Sequence, residues 1–495
     1  MKFFAVGLYV AILIAIAFFS MKKTKTLNDF FLGNRSIGPW VSAFTYGTTY
    51  FSAVMFIGYA GKIGWGFGLS ALWIVAGNAL IGSLLAWKLL ARRTRAMTSR
   101  LNTMTMPGFL EKRYQSKALK IVSALIIFIF LVPYSASVYM GLSYFFESVF
   151  GIPYNYALGF MAIMTAIYLT MGGYFAMTLA DFFQGIIMIF GVVAMILFVV
   201  YSPKVGGFSN IVPSLAAIDP KLTSPVGPPG ALNLFSLVIL TSLGPWGLPQ
   251  MVQKFYSIKN EKVIKTATWA TTGFALLMAT GAYFTGSLSR LFFGSLQEVG
   301  NNVDKIMPTI ISSTVPSAIA VLILLLILAA SMSTLASLVL VSSSAIAVDL
   351  FQSLKPKTDQ KKVVLLMRAL CLVFIGLSLY LAIKPNIILN LMAFSWGAVA
   401  GAFIGPYVFG LYYKKATKAG AWAGMLTGTL FCSIFSYLYP ANIPLVGSLA
   451  MILSILVVPV VSAFTQKMPE EHLDFIFGES AAPQINTRNQ VYSSK

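Results

Sequence analysis

Residues 329–351 read AASMSTLASLVLVSSSAIAVDLF, a run apolar enough for a bilayer that nonetheless carries Ser331, Ser333, Thr334, Ser337, Ser342, Ser343 and Ser344. On a helix, the carbonyl of Ala330 and the hydroxyls of Ser333 and Thr334 fall together at spacings of three and four residues. Ser337 continues that side one turn on. Uncharged oxygens of this kind make a weak cage for a small hard cation, suited to an ion that is taken up on one side and released on the other. The same small residues also let helices pack closely in a membrane, and the rest of the chain has to decide between the two readings.

Outward from this stretch the sequence is that of an all-α polytopic membrane protein. Of 495 residues, 58% are hydrophobic and 10% charged, with repeated apolar runs of spanning length. About thirteen segments are each near the ~20 residues a span needs: 3–21, 38–60, 65–90, 118–146, 154–172, 177–201, 231–252, 266–292, 316–350, 363–383, 388–411, 420–439 and 444–465. The formal charge of +21 sits in short loops. It therefore reads as a topology signal and as contact with anionic lipids, with no nucleic acid as partner. The basic clusters, beginning with Lys22, Lys23, Lys25 and Arg35, continue over 92–113, from Lys254 to Lys265, over 355–362 and over 414–418. Taken as cytoplasmic, they put the N-terminus outside and the C-terminus inside a cell (inner) membrane. The first apolar run lacks a cleavage pattern and reads as a retained helix.

Residues 1–465 form one transmembrane domain, followed by a polar, disordered cytoplasmic tail over 466–495. That tail holds the only histidine, His472. Cys371 and Cys432 lie in apolar runs, which points away from disulfides or zinc. With no phosphate-binding loop, no nucleophile–base pair and no ligand cluster in the membrane segments, the chain reads as neither an ATP-driven pump nor an enzyme, and as needing no cofactor.

Two segments carry breaks. The second contains FTYGTTYFSA (44–53), and the seventh contains SLGPWGLPQ (242–250). Gly and Pro loosen these helices and free backbone groups at mid-depth. The breaks are five segments apart, so 38–201 and 231–411 read as inverted five-helix repeats flanked by the extra helices 3–21, 420–439 and 444–465, the pattern of a secondary transporter. Asp181 is an ionisable residue at membrane depth with few neighbouring charges, and by default a functional one. Asp349 borders a basic loop and is expected to sit in water.

FFLGNRSIGPW (30–40), MGGYFAMTLADFFQG (171–185) and AASMSTLASLVLVSSS (329–344) resemble the sodium/solute symporter family, and the likeness extends over about 28–465. The loop around GGFSNIVPSLAAIDP looks most like the proline and pantothenate branches. The resemblance implies a leucine-transporter-type 5+5 inverted repeat. It implies one sodium between the second and ninth segments, held by backbone carbonyls of Thr48, Phe51 and Ala330 and hydroxyls of Ser333 and Thr334. Some members hold a second sodium with an aspartate in the sixth segment. Asp181 matches that residue and Ser337 one of its partners, while Ala336 stands where such members carry another hydroxyl. Proline-type members have an aspartate in the second segment where this chain has Tyr50. The solute is placed among Tyr50, Ser52, Met55, Trp73, Tyr134 and Trp246; Tyr134 matches a family substrate residue, and the breaks and helix faces place the others. The expected activity is sodium-coupled import of a small organic solute, an amino acid such as proline or a small carboxylate such as pantothenate. A proton-coupled transporter, or a non-coupled channel or sensor on the same fold, is the alternative. A single chain suffices for such a site.

Overall fold

A computed structural model describes residues 2–21, 35–384 and 387–478. Lys22, Lys23, Lys25, the opening of the 30–40 motif and the last 17 residues, 479–495, lie outside the described residues. The described chain is helical. The order runs α1 (Lys2–Met21), α2 (Pro39–Tyr50), α3 (Ala60–Phe67, entered through a π-turn at Met55–Tyr59 and continued by short helical pieces over 68–91, so that 55–100 is helical throughout), α4 (Arg92–Arg100), α5 (Met106–Tyr114), α6 (Lys117–Phe150) and α7 (Tyr154–Val200). It continues with α8 (Phe208–Ile218), α9 (Ala231–Gly247), α10 (Pro249–Tyr256), α11 (Glu261–Ser287), α12 (Ile306–Thr314) and α13 (Ser317–Ser344). The last five are α14 (Gln360–Ile383), α15 (Ile388–Tyr412), α16 (Lys418–Leu438), α17 (Ile443–Ala463) and α18 (Glu470–Phe477).

Among the described residues nine helices are long and apolar enough to cross a membrane, ten when α9 and α10, bent by 44°, count as one span. About thirteen were expected, and the differences have local causes. The second segment is broken into pieces. The fifth is a short apolar helix over Tyr154–Ile167. The eighth, α11, is long enough but rich in Thr and Gly.

Two long helical stretches also fold back on themselves. Gly64 packs on Gly286 and Trp65 under Arg290, but farther along Lys88 lies over Trp269 and Arg92 pairs with Glu261 at 3.0 Å. The chain therefore runs up α11 and back down it. The reversal is at Gly68, whose φ of +59° suits glycine. Likewise α7 would be about 70 Å long if straight. Yet Thr165 reaches Met332 and Gly191 packs on Leu326, so its two arms, 154–167 and 174–200, lie against the same part of α13.

The most enclosed helix is α13, buried without interruption from Leu326 to Ala345. α1, α14, α16 and α17 surround the bundle and present exposed apolar side chains such as Phe4, Leu365, Ile434 and Val460, as lipid contact requires. Small residues set the close approaches: a Cβ on Gly286 would run into the Ala60 carbonyl, and one on Gly428 into that of Gly401.

The basic end is tied together by arginines donating to carbonyls at helix C-termini, where cations are favoured. Arg35 reaches Thr98, Thr103 and Tyr256, Arg93 reaches Leu411, Arg113 reaches Gly410 and Tyr413, and Arg100 reaches Ile476. Arg113 is fully buried. The tail, expected to be disordered from residue 466, instead folds as α18 over 470–477, burying Leu473 and Ile476. His472 lies on that helix.

At the opposite end the Pro- and Gly-rich loop 202–230 contains α8, and its Leu222 is buried against the Gly68 turn. There, too, Asp304 accepts the first N–H of α15, from Ile388, at 3.2 Å. Burial pushes the Asp304 carboxyl up to about 6, against the opposing effects of that hydrogen bond and of Lys62. The folded state thus holds this proton more tightly than the unfolded chain, whose aspartate titrates near ~3.9. The group's contribution to stability is full below about pH 4 and is lost as pH rises through about 6. Asp304→Asn should flatten this part of the profile in thermal melts between those pH values; parallel profiles would show that another group is responsible.

Candidate functional site

The site forms where α2 stops. Its last turn ends at Phe51, which is extended (φ −102°, ψ 90°), and the chain becomes helical again just beyond Ser52. The break thus lies four residues past Gly47, whose role is different: the Phe274 ring fills the space a side chain would take. The matching break separates α9 from α10 at Leu248 (ψ 121°). A residue before proline is driven out of the helical region, so Pro249 sets this break, while Pro245 is accommodated inside α9.

At the first break the end of α2 meets α13. Ser333 Oγ donates to Thr48 Oγ1 at 2.8 Å, and Thr334 Oγ1 lies 3.4 Å from both the Thr48 and the Thr49 carbonyl oxygens. Thr49 Oγ1 is 3.0 Å from Ser337 Oγ. Ala330 is buried one turn earlier on α13, and Phe51 is buried with its ring stacked on Tyr50 at 4.4 Å. The hydroxyls of α13 and the end of α2 therefore share one dry, oxygen-rich seam. Thr49, which the sequence did not single out, takes part through both its carbonyl and its side chain.

Asp181 and Ser337 are linked through a third residue. Lys254 of α10 is buried, with Nζ 3.0 Å from Ser337 Oγ, 4.0 Å from Asp181 Oδ2 and 5.4 Å from the centre of the Tyr174 ring. This corrects one expectation: Lys254 is not a loop charge but a buried neighbour of Asp181. The signal was in the sequence. A helix begun at Pro249 runs on through Tyr256, which keeps Lys254 inside its last turns. Asp349 is corrected as well. It is buried in a π-turn at Ala345–Phe351, accepts a hydrogen bond from Thr105 at 2.7 Å and faces Lys120 at 3.9 Å. A cavity of about 450 Å³ opens beside it.

Of the residues placed around a solute, Tyr50, Ser52, Met55 and Tyr134 are buried near the break. Tyr50 donates to the Thr241 carbonyl at 2.7 Å, which spans the two broken helices. Trp396 of α15 joins them, 6.2 Å from the Tyr50 ring and edge-on to Tyr134 at 5.8 Å. Gly244, at the kink of α9, leaves room for the Trp396 ring. The Tyr134 ring packs edge-on to Trp396, and among the described residues neither the Tyr134 hydroxyl nor Trp396 Nε1 completes a hydrogen bond. Buried polar atoms of that kind are open to a ligand. Trp246 turns away, donating to the Ile81 carbonyl at 3.0 Å. Trp73 is not at the break: it is 50% exposed and donates to the Pro225 carbonyl in the 202–230 loop. A third-segment tryptophan near the Gly68 turn is too far along its helix to reach mid-depth. Trp396 was missed because FSWGAVAGAF reads as a packing stretch of small residues.

Comparison with known proteins follows this geometry. A family model described as the sodium:solute symporter family matches residues 30–428. A sodium/proline symporter from Staphylococcus aureus (strain bovine RF122 / ET3-1) is 32% identical over 483 residues, covering 93% of this chain and 92% of that protein. The osmoregulated proline transporter OpuE of Bacillus subtilis (strain 168) is 32% identical over 429 residues, covering 86% of each. Among solved structures, a Na+-coupled sialic acid symporter in a substrate-bound outward-open state superposes with a TM-score of 0.78 at 17% identity, covering 94% of this chain and 98% of that one. Mhp1, a nucleobase-cation-symport-1 family transporter, superposes at 0.53 and 16% identity, covering 90% and 97%. The fold is the leucine-transporter type that the sequence led us to expect.

The buried pair gives a direct test. Asp181→Ala leaves the Lys254 ammonium buried without its counter-charge and should cost about 3–5 kcal/mol of stability. The double variant Asp181→Ala/Lys254→Met should recover most of that in thermal melts of the purified protein. Equal losses in the single and double variants would show that the two charges do not interact.

Proposed function

The chain belongs to the sodium:solute symporter family, and from that premise we propose that it imports proline together with sodium. The observation that carries the ion half is the seam where the Thr48 and Thr49 carbonyls meet the Thr334 hydroxyl and Ser333 bonds Thr48. A helix that ends at mid-depth turns the negative end of its dipole, and its last carbonyls, toward a cation. The Thr48, Phe51 and Ala330 carbonyls with the Ser333 and Thr334 hydroxyls make a five-oxygen set of the hard, weakly charged type, with the Thr49 carbonyl beside it. Sodium bound there joins α2 to α13 and favours the state that accepts solute. By linkage, sodium and solute then strengthen each other's binding by one factor.

Proline as the solute is supported by the relatives named for it, which align over nearly the whole chain. The residues at the break fit that chemistry. The helix that resumes after Ser52 has its positive end at the break, where a carboxylate is favoured, while Tyr50, Met55, Tyr134 and Trp396 offer apolar surface to a small ring. None of these side chains is cationic, so the helix end is the group that meets the carboxylate. The basic clusters gather at one end through the Arg92–Glu261, Arg93–Leu411 and Lys414–Asp474 contacts. We take that end as cytoplasmic under the positive-inside rule, with the N-terminus outside. One chain holds all of these residues, so a single chain suffices for the proposed site.

Proteoliposomes with an inward sodium gradient, tested with labelled proline, other small amino acids, pantothenate, short carboxylates and sugars, should accumulate proline, and only with sodium. Uptake that is unchanged when potassium replaces sodium would refute the coupling. Ser333→Ala and Thr334→Ala should each raise the sodium concentration for half-maximal uptake about tenfold, the equivalent of ~1.4 kcal/mol. An unaltered sodium dependence in both would remove these residues from the ion site.

A further inference from the structure

The space beside Asp181 has the ingredients of a second cation site, and a cation of the protein's own already fills it. Asp181 is fully buried, and among the described residues neither of its oxygens accepts a hydrogen bond. The Lys254 ammonium, itself only 1% exposed, stands 4.0 Å from Oδ2 and donates to Ser337 Oγ at 3.0 Å. Ser337 is the hydroxyl that a second sodium would need, and its other near neighbours are Thr49 Oγ1 at 3.0 Å and Met177 Sδ at 3.5 Å. A sodium ion added here would put two positive charges beside one carboxylate in a poorly screened interior, where like charges a few ångströms apart repel strongly.

We propose that the Lys254 ammonium is a tethered cation that takes the place of a second sodium ion, so that the protein binds and carries one sodium per solute. The inference rests on the sodium-symport reading above and specifies its stoichiometry. A covalently held ammonium neutralises Asp181 and ties Ser337 to the short helix α10, but it is never released, so it adds nothing to the transported charge. The same network reaches the first site through Thr49, whose carbonyl faces Thr334. Lys254 therefore acts on the sodium seam as a positioning residue, through Ser337 and Thr49.

The test uses the full-length protein in two formats: equilibrium binding of radiolabelled sodium to purified protein, and paired fluxes of labelled sodium and proline in voltage-clamped proteoliposomes. One sodium per chain and one per proline are expected for the unaltered protein. Lys254→Ser, which keeps Asp181, should raise both values to two and make the sodium dependence sigmoidal. Asp181→Asn/Lys254→Ser, which removes both charges, should return them to one. A purely structural lysine would lower the amount of active protein without moving either ratio.

Two sodium ions per chain in the unaltered protein would overturn the proposal, as would a Lys254→Ser protein that still binds one. If Lys254→Ser does not fold, the unaltered ratio and the double variant decide, since two ions in either contradict the substitution of ammonium for sodium. The failure of the underlying reading looks different. No sodium-driven proline flux would refute proline symport, while the sodium count per chain would still judge the role of Lys254.

Discussion

Free backbone carbonyls inside a membrane have to be met by something, and the end of α2 meets that requirement on α13. A helix that stops at Phe51 exposes its last carbonyls where no water is available to take them. The Thr334 hydroxyl faces two of these, at Thr48 and Thr49, and Ser333 holds the Thr48 side chain. The rest of the bundle is arranged so that this meeting can occur. α13 is enclosed along most of its length, both arms of α7 lie against it, and the second broken helix sends Lys254 to its next turn. The packing reading and the ion reading of residues 329–351 are therefore not rivals. The small residues bring the helices close, and closeness turns their hydroxyls into potential ligands.

The two breaks also divide the labour of charge. Each leaves a negative helix end and a positive helix start, the arrangement that in the proposed function would meet a cation and a carboxylate without a charged side chain. Charged residues appear one layer further toward the basic end, where Asp181 with Lys254 and Asp349 with Lys120 form buried or nearly buried pairs. Beyond them, arginines close helix C-termini. The basic residues that read as a topology signal thus also serve as structural caps: Arg35 alone joins the chain before α2 to α4 and α10.

The sequence determined the helical class, the two broken segments, the family and the hydroxyl set on α13. Each of these depends on local pattern: apolar runs of spanning length, Pro249 forcing Leu248 out of the helix, and hydroxyls at spacings of three and four. What a residue faces across the bundle depends on which helices pack together, and only the tertiary structure decided that. Lys254 looked like a loop charge because its partner Asp181 is 73 positions away in the chain. Trp73 looked like a site residue until the Gly68 turn placed it at the surface. Trp396 and Thr49 gained their places because Gly244 leaves room for one ring and because α13 approaches the last turn of α2. Periodicity fixes which side of a helix a residue is on, whereas its partner is set by contacts between segments far apart in sequence, and one chain read in order does not contain them.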